Sequence, residues 1–195
     1  DDFVQGLKEA KKRVFDFYET DKDASIVHNN LNDMKDVLTY SLQYQKGAWV
    51  LHMLRNYVGE DNFREGIRNY YSKYFNSNTT TEEFKLEMEN SSGIDLDKFF
   101  DQWLYKGGLI KLNVSWSYNK RAKQIEIDID QIQNDGYLFE MPVEFQLIYD
   151  DNSSKIDKIF MDKKLKKYII SSDYKPKEIK LDPHIKLLAD WNFKN

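Results

Sequence analysis

Cysteine is absent from this 195-residue sequence, and histidine, glycine and proline are scarce, with 3, 8 and 3 copies. The lack of cysteine excludes disulfide bridges and thiolate metal sites, but it leaves the cellular compartment open. Of the imidazoles of His28, His52 and His184, no two are four residues apart, the spacing that places two ligands on one helix face around zinc. We therefore expect this chain to bind no metal and no cofactor, and His52 and His184 to have structural, hydrogen-bonded roles.

The sequence also lacks a basic composition and a long apolar run. Lys and Arg number 29 against 33 Asp and Glu, which gives a net charge of -4 and no basic field to hold nucleic acid or an anionic membrane. No stretch approaches the ~20 apolar residues of a membrane-spanning helix. We expect neither a nucleic acid nor a membrane as a partner. Because the sequence begins at Asp1 without Met and in the middle of a pattern, we expect a piece of a longer protein.

Apolar residues in the first part of the chain recur every three or four positions, as in amphipathic helices. This spacing predicts helices over residues 2–19, 42–58 and 63–74. Residues 20–38 are predicted to form a loop with a short helical turn near 34–38. The segment 42–58 is apolar around most of its circumference, which is typical of a helix that packs on several sides. We expect it to be central to its lobe.

Two further helix starts are indicated by capping residues. Thr80 followed by Glu83 predicts a capping box, in which each side chain accepts a hydrogen bond from a backbone N–H of the other residue. Asp95 is predicted to cap a further helix. The helical spacing ends near Gly107-Gly108, which we interpret as a junction between two domains.

Beyond the junction the apolar period becomes two, which is typical of half-buried strands. Predicted strands lie at residues 112–118, 125–129, 143–147, 156–159, 168–170 and 179–181. Turn-rich spacers at 134–136 and 150–153 separate some of them. The sequence therefore predicts an α+β protein, with an all-helical lobe over residues 1–108 and an antiparallel β-sandwich over residues 109–195.

An ordered set of motifs spans both parts of the chain. They read Y-Q-K-G at 44–47, V-G-E-D-N-F at 58–63, T-T-T-E-E-F at 79–84, S-G-I-D-L at 92–96, F-F-D-Q-W-L at 99–104, L-N-V at 112–114 and L-D-P at 181–183. Together they resemble the aminopeptidase N and leukotriene hydrolase family of zinc metallopeptidases, the gluzincins. The resemblance covers nearly the whole chain. One departure is Ile110, where the family usually has proline, and it affects the junction without touching the chemistry.

The resemblance implies a fold, a reaction and one catalytic residue. The helical lobe would be the C-terminal half of a thermolysin-like catalytic domain, and the parent would remove N-terminal residues from peptides. In this family a zinc ion held by H-E-x-x-H and a downstream glutamate activates a water. The catalytic tyrosine, here Tyr44, donates its phenol O–H to the oxyanion of the tetrahedral intermediate.

The zinc motif and the family's Gly-x-Met-Glu-Asn segment precede that tyrosine, and none of the 43 residues before Tyr44 fits either. The resemblance therefore implies that zinc belongs to the parent and that this chain alone is inactive. Its partners would be the upstream zinc-binding half and the peptide substrate. If that half has been removed, an exposed apolar surface should border Tyr44, because helices that pack on several sides have lost a neighbour.

Alternatives remain open at several residues. Spacing alone makes Tyr44 a core aromatic on the stripe that also carries Ala48 and Leu51. Lys46 can be read as a solvated residue at a helix start, and Gly47 as a site where another backbone approaches closely. Three aromatic residues of the β domain suit either its core or a ligand groove. They are Trp116, Tyr118 and Trp191.

Two other functions are also compatible with the sequence. The chain could be a non-catalytic interaction module derived from the same family, in which Tyr44 only packs. It could also be a free-standing carbohydrate- or peptide-binding sandwich with a helical extension. The latter predicts a groove on a sheet face and a polar surface on the helices.

Overall fold

The computed structural model describes residues 2–29, 32–133 and 138–194. The chain divides into two compact units, Asp1–Gly107 and Gly108–Asn195. Within the described residues, the first unit contains six α-helices and two π-helical segments, which we label π1 and π2. In chain order they are α1 (Asp2–Tyr18), α2 (Met34–Val37), π1 (Tyr40–Lys46), α3 (Gly47–Val58), α4 (Glu60–Lys73), α5 (Thr81–Ser92), α6 (Asp97–Phe100) and π2 (Asp101–Tyr105).

The predicted helices are present, with one change of geometry. The helix expected over residues 42–58 begins as the π-helical segment π1 and becomes α-helical at Gly47. Gly59, which ends α3, has a φ of 90°, a conformation that glycine adopts without steric cost. None of the helices in the described part of the chain is long and apolar enough to cross a bilayer.

The capping prediction at Thr80 is confirmed, whereas at α6 the N-cap residue is Leu96 and not Asp95. The Thr80 hydroxyl accepts a hydrogen bond from the Glu83 N–H at 3.3 Å, and the Glu83 carboxylate accepts one from the Thr80 N–H at 2.6 Å, so the capping box at the start of α5 is confirmed. The Asp95 carboxylate accepts a hydrogen bond from the Asp97 N–H at 2.9 Å. The helix that follows is only four residues long before it continues into π2.

Lys46 is fully buried, so its interpretation as a solvated residue at a helix start is wrong. Its Nζ donates a hydrogen bond to the Tyr18 hydroxyl oxygen at 2.7 Å and lies 3.5 Å from the Lys106 carbonyl oxygen. Because removal from water disfavours the charged form, the pKa of Lys46 falls from 10.5 to about 7. The amine is therefore a polar group inside the helical core.

A close contact between α4 and α5 depends on Gly66. A Cβ atom added there would lie 2.7 Å from the Ser91 Oγ, 2.8 Å from the Met88 Sδ and 2.9 Å from the Met88 Cε. Met88 is fully buried. The absence of a side chain at Gly66 thus lets the two helices approach each other.

The second unit is made of strands in two sheets. Its described strands are β1 (Ile110–Asn119), β2 (Gln124–Gln131), β3 (Met141–Ile148), β4 (Ser154–Met161), β5 (Leu165–Ser171), β6 (Glu178–Leu181) and β7 (Ala189–Phe193). The sheet orders are β5-β2-β1-β7 and β4-β3-β6. Alternate residues of β1, β2 and β3 are buried, as their period-two pattern predicts. The α+β class, helices followed by sheets, is confirmed.

Strand β7 differs from the prediction in two ways. It was not among the strands predicted from the sequence, and it pairs with β1 in the parallel direction, with Ile110 opposite Ala189 and Val114 opposite Phe193. The other strand pairs are antiparallel. The expectation of a purely antiparallel domain is therefore wrong at this edge. The turn predicted at 134–136 lies outside the described residues.

The packing at Gly66 can be tested with the same substitution at two glycines. Gly66→Leu is expected to lower the free energy of unfolding by about 1–3 kcal/mol, since it overpacks the α4–α5 contact. Gly6→Leu is the control, because Gly6 lies on the exposed face of α1 and a Cβ atom added there would contact no other part of the protein within 4 Å. It should raise that free energy by about 0.5–1 kcal/mol, because leucine is a better helix former than glycine. Equal effects in chemical denaturation would contradict the close contact.

The burial of Lys46 predicts a pH dependence of stability. Between about pH 7 and pH 10.5 the folded amine is neutral and the unfolded amine is protonated, so the unfolded chain binds one more proton. The free energy of unfolding therefore rises with pH, by about 1.4 kcal/mol per pH unit from this group. The groups that face the amine are the Tyr18 phenol and the Lys106 carbonyl, while the Lys106 amine pairs with Asp101.

Lys46→Met should remove this contribution. Denaturation at pH 8 and pH 9 is expected to show a wild-type free energy of unfolding that gains about 1.4 kcal/mol more than the variant's. Lys12→Met is the matched control, because the Lys12 side chain is 76% exposed and pairs with Asp16 on the surface of α1. It should follow the wild type. If the difference in free energy of unfolding between the wild type and Lys46→Met does not change with pH, the buried amine is not neutral in the folded protein.

Candidate active site

Tyr44 lies on π1 with its side chain in contact with solvent. The residue is 57% exposed, so the alternative that places it in the core is wrong. The segment begins after Thr39, whose φ of -73° and ψ of 113° are extended. It ends where the Gly47 N–H donates hydrogen bonds to the carbonyl oxygens of Leu42 and Tyr44. π-Helical turns occur often at functional sites, because the extra residue changes the direction of side chains.

A groove of about 540 Å³ runs beside Tyr44. Its lining residues come from π1, from α3, from the start of α5 with the residues before it, and singly from α4, α6 and π2. The lining residues are Gln43, Tyr44, Gly47, Ala48, Val50, Leu51, Leu54, Tyr70, Thr79, Thr80, Thr81, Phe84, Phe100 and Leu104. Half of these residues have wholly apolar side chains, and six carry a side-chain hydrogen-bond donor, the phenol of Tyr44 among them. The groove therefore combines apolar surface with several polar groups, as ligand sites do.

The surface beside Tyr44 carries exposed apolar side chains. Tyr40 is 57% exposed and Leu51 is 45% exposed. The rings of Tyr40 and Tyr44 have their centroids 5.7 Å apart, and the Arg13 guanidinium lies 5.9 Å from the Tyr40 ring. Adjacent exposed aromatic and aliphatic side chains of this kind mark a surface that contacts another molecule or segment. A fully polar helical surface, which a free-standing sandwich predicts, is not found here.

Gly47 does not have the role predicted for it. A Cβ atom at this position would meet only the Leu42 carbonyl oxygen, at an ordinary 3.7 Å, so no described backbone segment approaches it closely. Gly47 lines the groove instead. The lack of a side chain there leaves the groove wider next to Tyr44.

The three histidines have different surroundings. The His52 ring makes edge contacts with the rings of Phe3 and Trp49, and its Nε2 lies 3.4 Å from the Asn56 amide nitrogen. In the β unit, the His184 Nδ1 lies 3.1 Å from a Glu144 carboxylate oxygen. These contacts agree with structural roles for both residues. His28 lies in the loop after α1 and is half-buried.

In residues 2–29, 32–133 and 138–194, one group of three carboxylates could approach a metal ion. It consists of Glu89, Asp95 and Asp97, whose ligand oxygens lie within 4.8 Å of one another. Each carboxylate already has a structural partner. Glu89 accepts from the Leu96 N–H and Asp95 from the Asp97 N–H, while Asp97 pairs with Lys85. The group therefore stabilises the start of α6.

Three aromatic residues of the β unit are only half-buried, namely Trp116, Tyr118 and Trp191, so a place in its core is wrong for them. Trp116 and Tyr118 line a shallow groove of about 690 Å³ together with Lys175 and Phe193. The Lys175 Nζ lies 6.0 Å from the Trp116 ring centroid. The Tyr118 hydroxyl donates to the carbonyl oxygens of Ser172 and Asp173. These contacts join strands at the unit surface and bring no catalytic group together.

Sequence reasoning did not predict that residues around the start of α5 line the groove beside Tyr44. They include Thr79, Thr81 and Phe84, which the sequence marks only as part of a helix start and of a motif. The T-T-T-E-E-F motif was the available signal, because three hydroxyl residues exceed what a capping box requires. Because these residues are far from Tyr44 in the sequence, nothing indicated that they line the same groove.

Comparison with known proteins gives consistent matches. The model of the peptidase family M1 domain matches residues 4–103. Aminopeptidase N of Escherichia coli is 33% identical over 88 residues, which are 45% of this chain and 10% of that protein. Leucyl aminopeptidase of Saccharolobus solfataricus is 26% identical over 155 residues, which are 79% of this chain and 18% of that protein.

A solved structure has the same fold. Aminopeptidase A of Legionella pneumophila, solved in complex with aspartic acid, superposes with a TM-score of 0.73 over 98% of this chain, at 15% sequence identity. The chain covers 23% of that protein, and thus less than a quarter of each of these three relatives. The family model matches just over half of the chain, including α1, π1 and α3 to α6. This chain belongs to peptidase family M1.

Proposed function

We propose that this chain is the C-terminal part of a zinc-dependent aminopeptidase that removes N-terminal residues from peptides, and that Tyr44 is its oxyanion-binding residue. The exposure of the Tyr44 phenol at the edge of an apolar groove supports this proposal most directly. A buried phenol could not reach a peptide carbonyl. Residues 1–108 would form the helical lobe of the catalytic domain, and residues 109–195 a structural sandwich domain.

Aminopeptidases of family M1 are generally zinc-dependent. Among the residues that the structure describes, the one candidate group does not fit a zinc site, because its three carboxylates include no histidine and are engaged in local hydrogen bonds. A catalytic zinc ion is generally held by three protein ligands that include histidine, with a water in the fourth position. The metal would therefore belong to the upstream half of the parent, which is the partner that we propose for this chain.

The proposed contribution of Tyr44 is electrostatic. When water adds to a peptide carbonyl, the carbonyl oxygen becomes negatively charged, and a phenol O–H placed beside it donates a hydrogen bond that strengthens as this charge develops. Such a donor is worth about 2.7–4 kcal/mol of activation free energy, or roughly 100- to 1000-fold in rate. If the upstream half of the parent covers the groove, it would displace water from it and so strengthen this hydrogen bond.

The exposed Tyr40, Tyr44 and Leu51 suggest where the upstream half packs. These side chains lie on π1 and α3, the part of the helical unit nearest the groove. We propose that the upstream half covers Tyr40 and leaves the Tyr44 hydroxyl facing the substrate. The non-catalytic module is the competing proposal, and it predicts a parent without an H-E-x-x-H motif before Asp1.

The catalytic role is tested with Tyr44→Phe in the full-length enzyme. We expect kcat to fall by about 100- to 1000-fold with little change in KM, because the lost hydrogen bond forms in the transition state. Hydrolysis of aminoacyl anilides measures both constants. Tyr71→Phe is the matched control, since Tyr71 is 64% exposed on α4 and does not line the groove. It should retain wild-type kcat, and the same kcat for Tyr44→Phe would refute the proposal.

The 195-residue chain alone is expected to be inactive and to bind no zinc stoichiometrically. Equilibrium dialysis with metal analysis should give a zinc content well below one per chain, because the histidines are dispersed. Aminoacyl anilide hydrolysis should equal that of the buffer. An authentic zinc peptidase treated in the same way serves as the positive control. Tight zinc binding that is abolished by His28→Ala or His52→Ala would contradict this account.

A further inference from the structure

Three segments of the helical unit meet at the buried amine of Lys46. The amine belongs to the last residue of π1. It donates a hydrogen bond to the hydroxyl of Tyr18 at the end of α1, and that hydroxyl donates to the Ala24 carbonyl oxygen at 2.7 Å. It also lies 3.5 Å from the carbonyl oxygen of Lys106, which follows π2. One side chain thus joins π1 to α1, to the loop after α1 and to the end of the helical unit.

The surrounding backbone is packed tightly enough to hold this arrangement. A Cβ atom added at Gly107 would lie 2.5–2.8 Å from backbone atoms of Asp23. The loop after α1 is therefore in direct contact with Gly107, the residue that follows Lys106. The Val27 N–H donates to the Leu104 carbonyl oxygen at 2.9 Å. The loop and π2 are therefore fixed to each other independently of Lys46, and the amine contacts a rigid pair of acceptors.

Tyr44 depends on the same short segment. The Gly47 N–H donates to the Tyr44 carbonyl oxygen at the change from π- to α-helical geometry, directly after Lys46. The Gln43 amide contacts the Ile26 carbonyl oxygen at 3.2 Å, and Leu42 is buried, but the Tyr44 side chain itself is exposed. The orientation of the phenol therefore follows from how firmly the segment is held from the inside.

We propose that Lys46 is a positioning residue for Tyr44: its hydrogen bonds to Tyr18 and Lys106 fix π1 in the conformation that directs the phenol into the groove. Lys46 touches neither substrate nor reacting atoms. Leaving a buried hydrogen-bonding group without its partner is unfavourable, so the segment remains where the amine has acceptors. In its catalytic consequence, this inference rests on the function proposed for Tyr44.

Amide hydrogen exchange of the 195-residue chain, followed by mass spectrometry, tests the positioning directly. Lys46→Met keeps the length of the side chain and removes its hydrogen bonds. We expect exchange of residues 40–47 to become about tenfold faster, since the loss of a buried hydrogen bond favours local opening by roughly this factor. Exchange of residues 81–92 in α5 should not change. The control Lys12→Met, on the exposed face of α1, should match the wild type at both segments.

A second variant keeps the test decisive if Lys46→Met does not fold. Tyr18→Phe retains the aromatic ring and removes the oxygen that accepts from Lys46. It should also accelerate exchange of residues 40–47 while leaving residues 81–92 protected. Unchanged exchange at residues 40–47 in every variant that folds would overturn the inference. Exchange that increases equally in α5 would also overturn it, because the amine would then support the whole unit rather than this segment.

Kinetics of the full-length enzyme separate this inference from the proposed function. Lys46→Met should lower kcat by about 10- to 100-fold, the effect of a small displacement of a catalytic group, with KM unchanged. Combined with Tyr44→Phe, it should cause little further loss, because both changes affect the same interaction. If Tyr44→Phe retains full kcat while Lys46→Met accelerates exchange, the proposed function fails and the structural role of Lys46 stands. A full additional loss in the double variant would refute positioning through Tyr44.

Discussion

The burial of the Lys46 amine is the constraint on which the arrangement around Tyr44 depends. A nitrogen removed from water must find hydrogen-bond acceptors inside the protein, and leaving it unsatisfied costs about 1–3 kcal/mol. Tyr18 and Lys106 supply those acceptors from segments that are distant in sequence. Meeting this requirement brings the end of α1 and the residue after π2 to one point. The exposed phenol of Tyr44 lies on the other side of the same segment.

Local geometry explains how one short segment presents side chains both outward and inward. In π1 the Gly47 N–H reaches the carbonyl oxygens of Leu42 and Tyr44, so the turn contains an additional residue compared with an α-helix. Leu42 and Lys46 are buried, whereas Tyr44 faces the groove. The apolar residues that line the groove belong to helices whose other faces form the core. A bound ligand that displaces water from the groove would strengthen a hydrogen bond donated there, because electrostatic interactions are stronger outside water.

Periodicity predicted most of the architecture, because burial imposes a period near 3.6 on helices and of two on strands. It could not identify π1, since the apolar positions of one wide turn look like those of an α-helix. The alternation of residues 189–193 is present in the sequence, yet parallel pairing with β1 has no local signature. The burial of Lys46 was not predicted for a different reason. Lysine side chains are rarely buried in proteins, and the interpretation of Lys46 as a solvated residue followed this tendency and not the motif that contains it. The motif resemblance indicated the right segment, but the exposure of Tyr44 required the folded chain.

The parallel pairing of β1 with β7 also has a mechanical consequence. Along the chain, β1 is the first strand of its sheet and β7 is the last. Ile110 lies opposite Ala189, and Val114 lies opposite Phe193. Tension between Ile110 and Phe193 would pull adjacent parallel strands in opposite directions along their length. The hydrogen bonds of the ladder would then be loaded together in shear and could not be opened one at a time. The edge at which the sequence pattern was least informative is thus the edge that would resist stretching of the β unit.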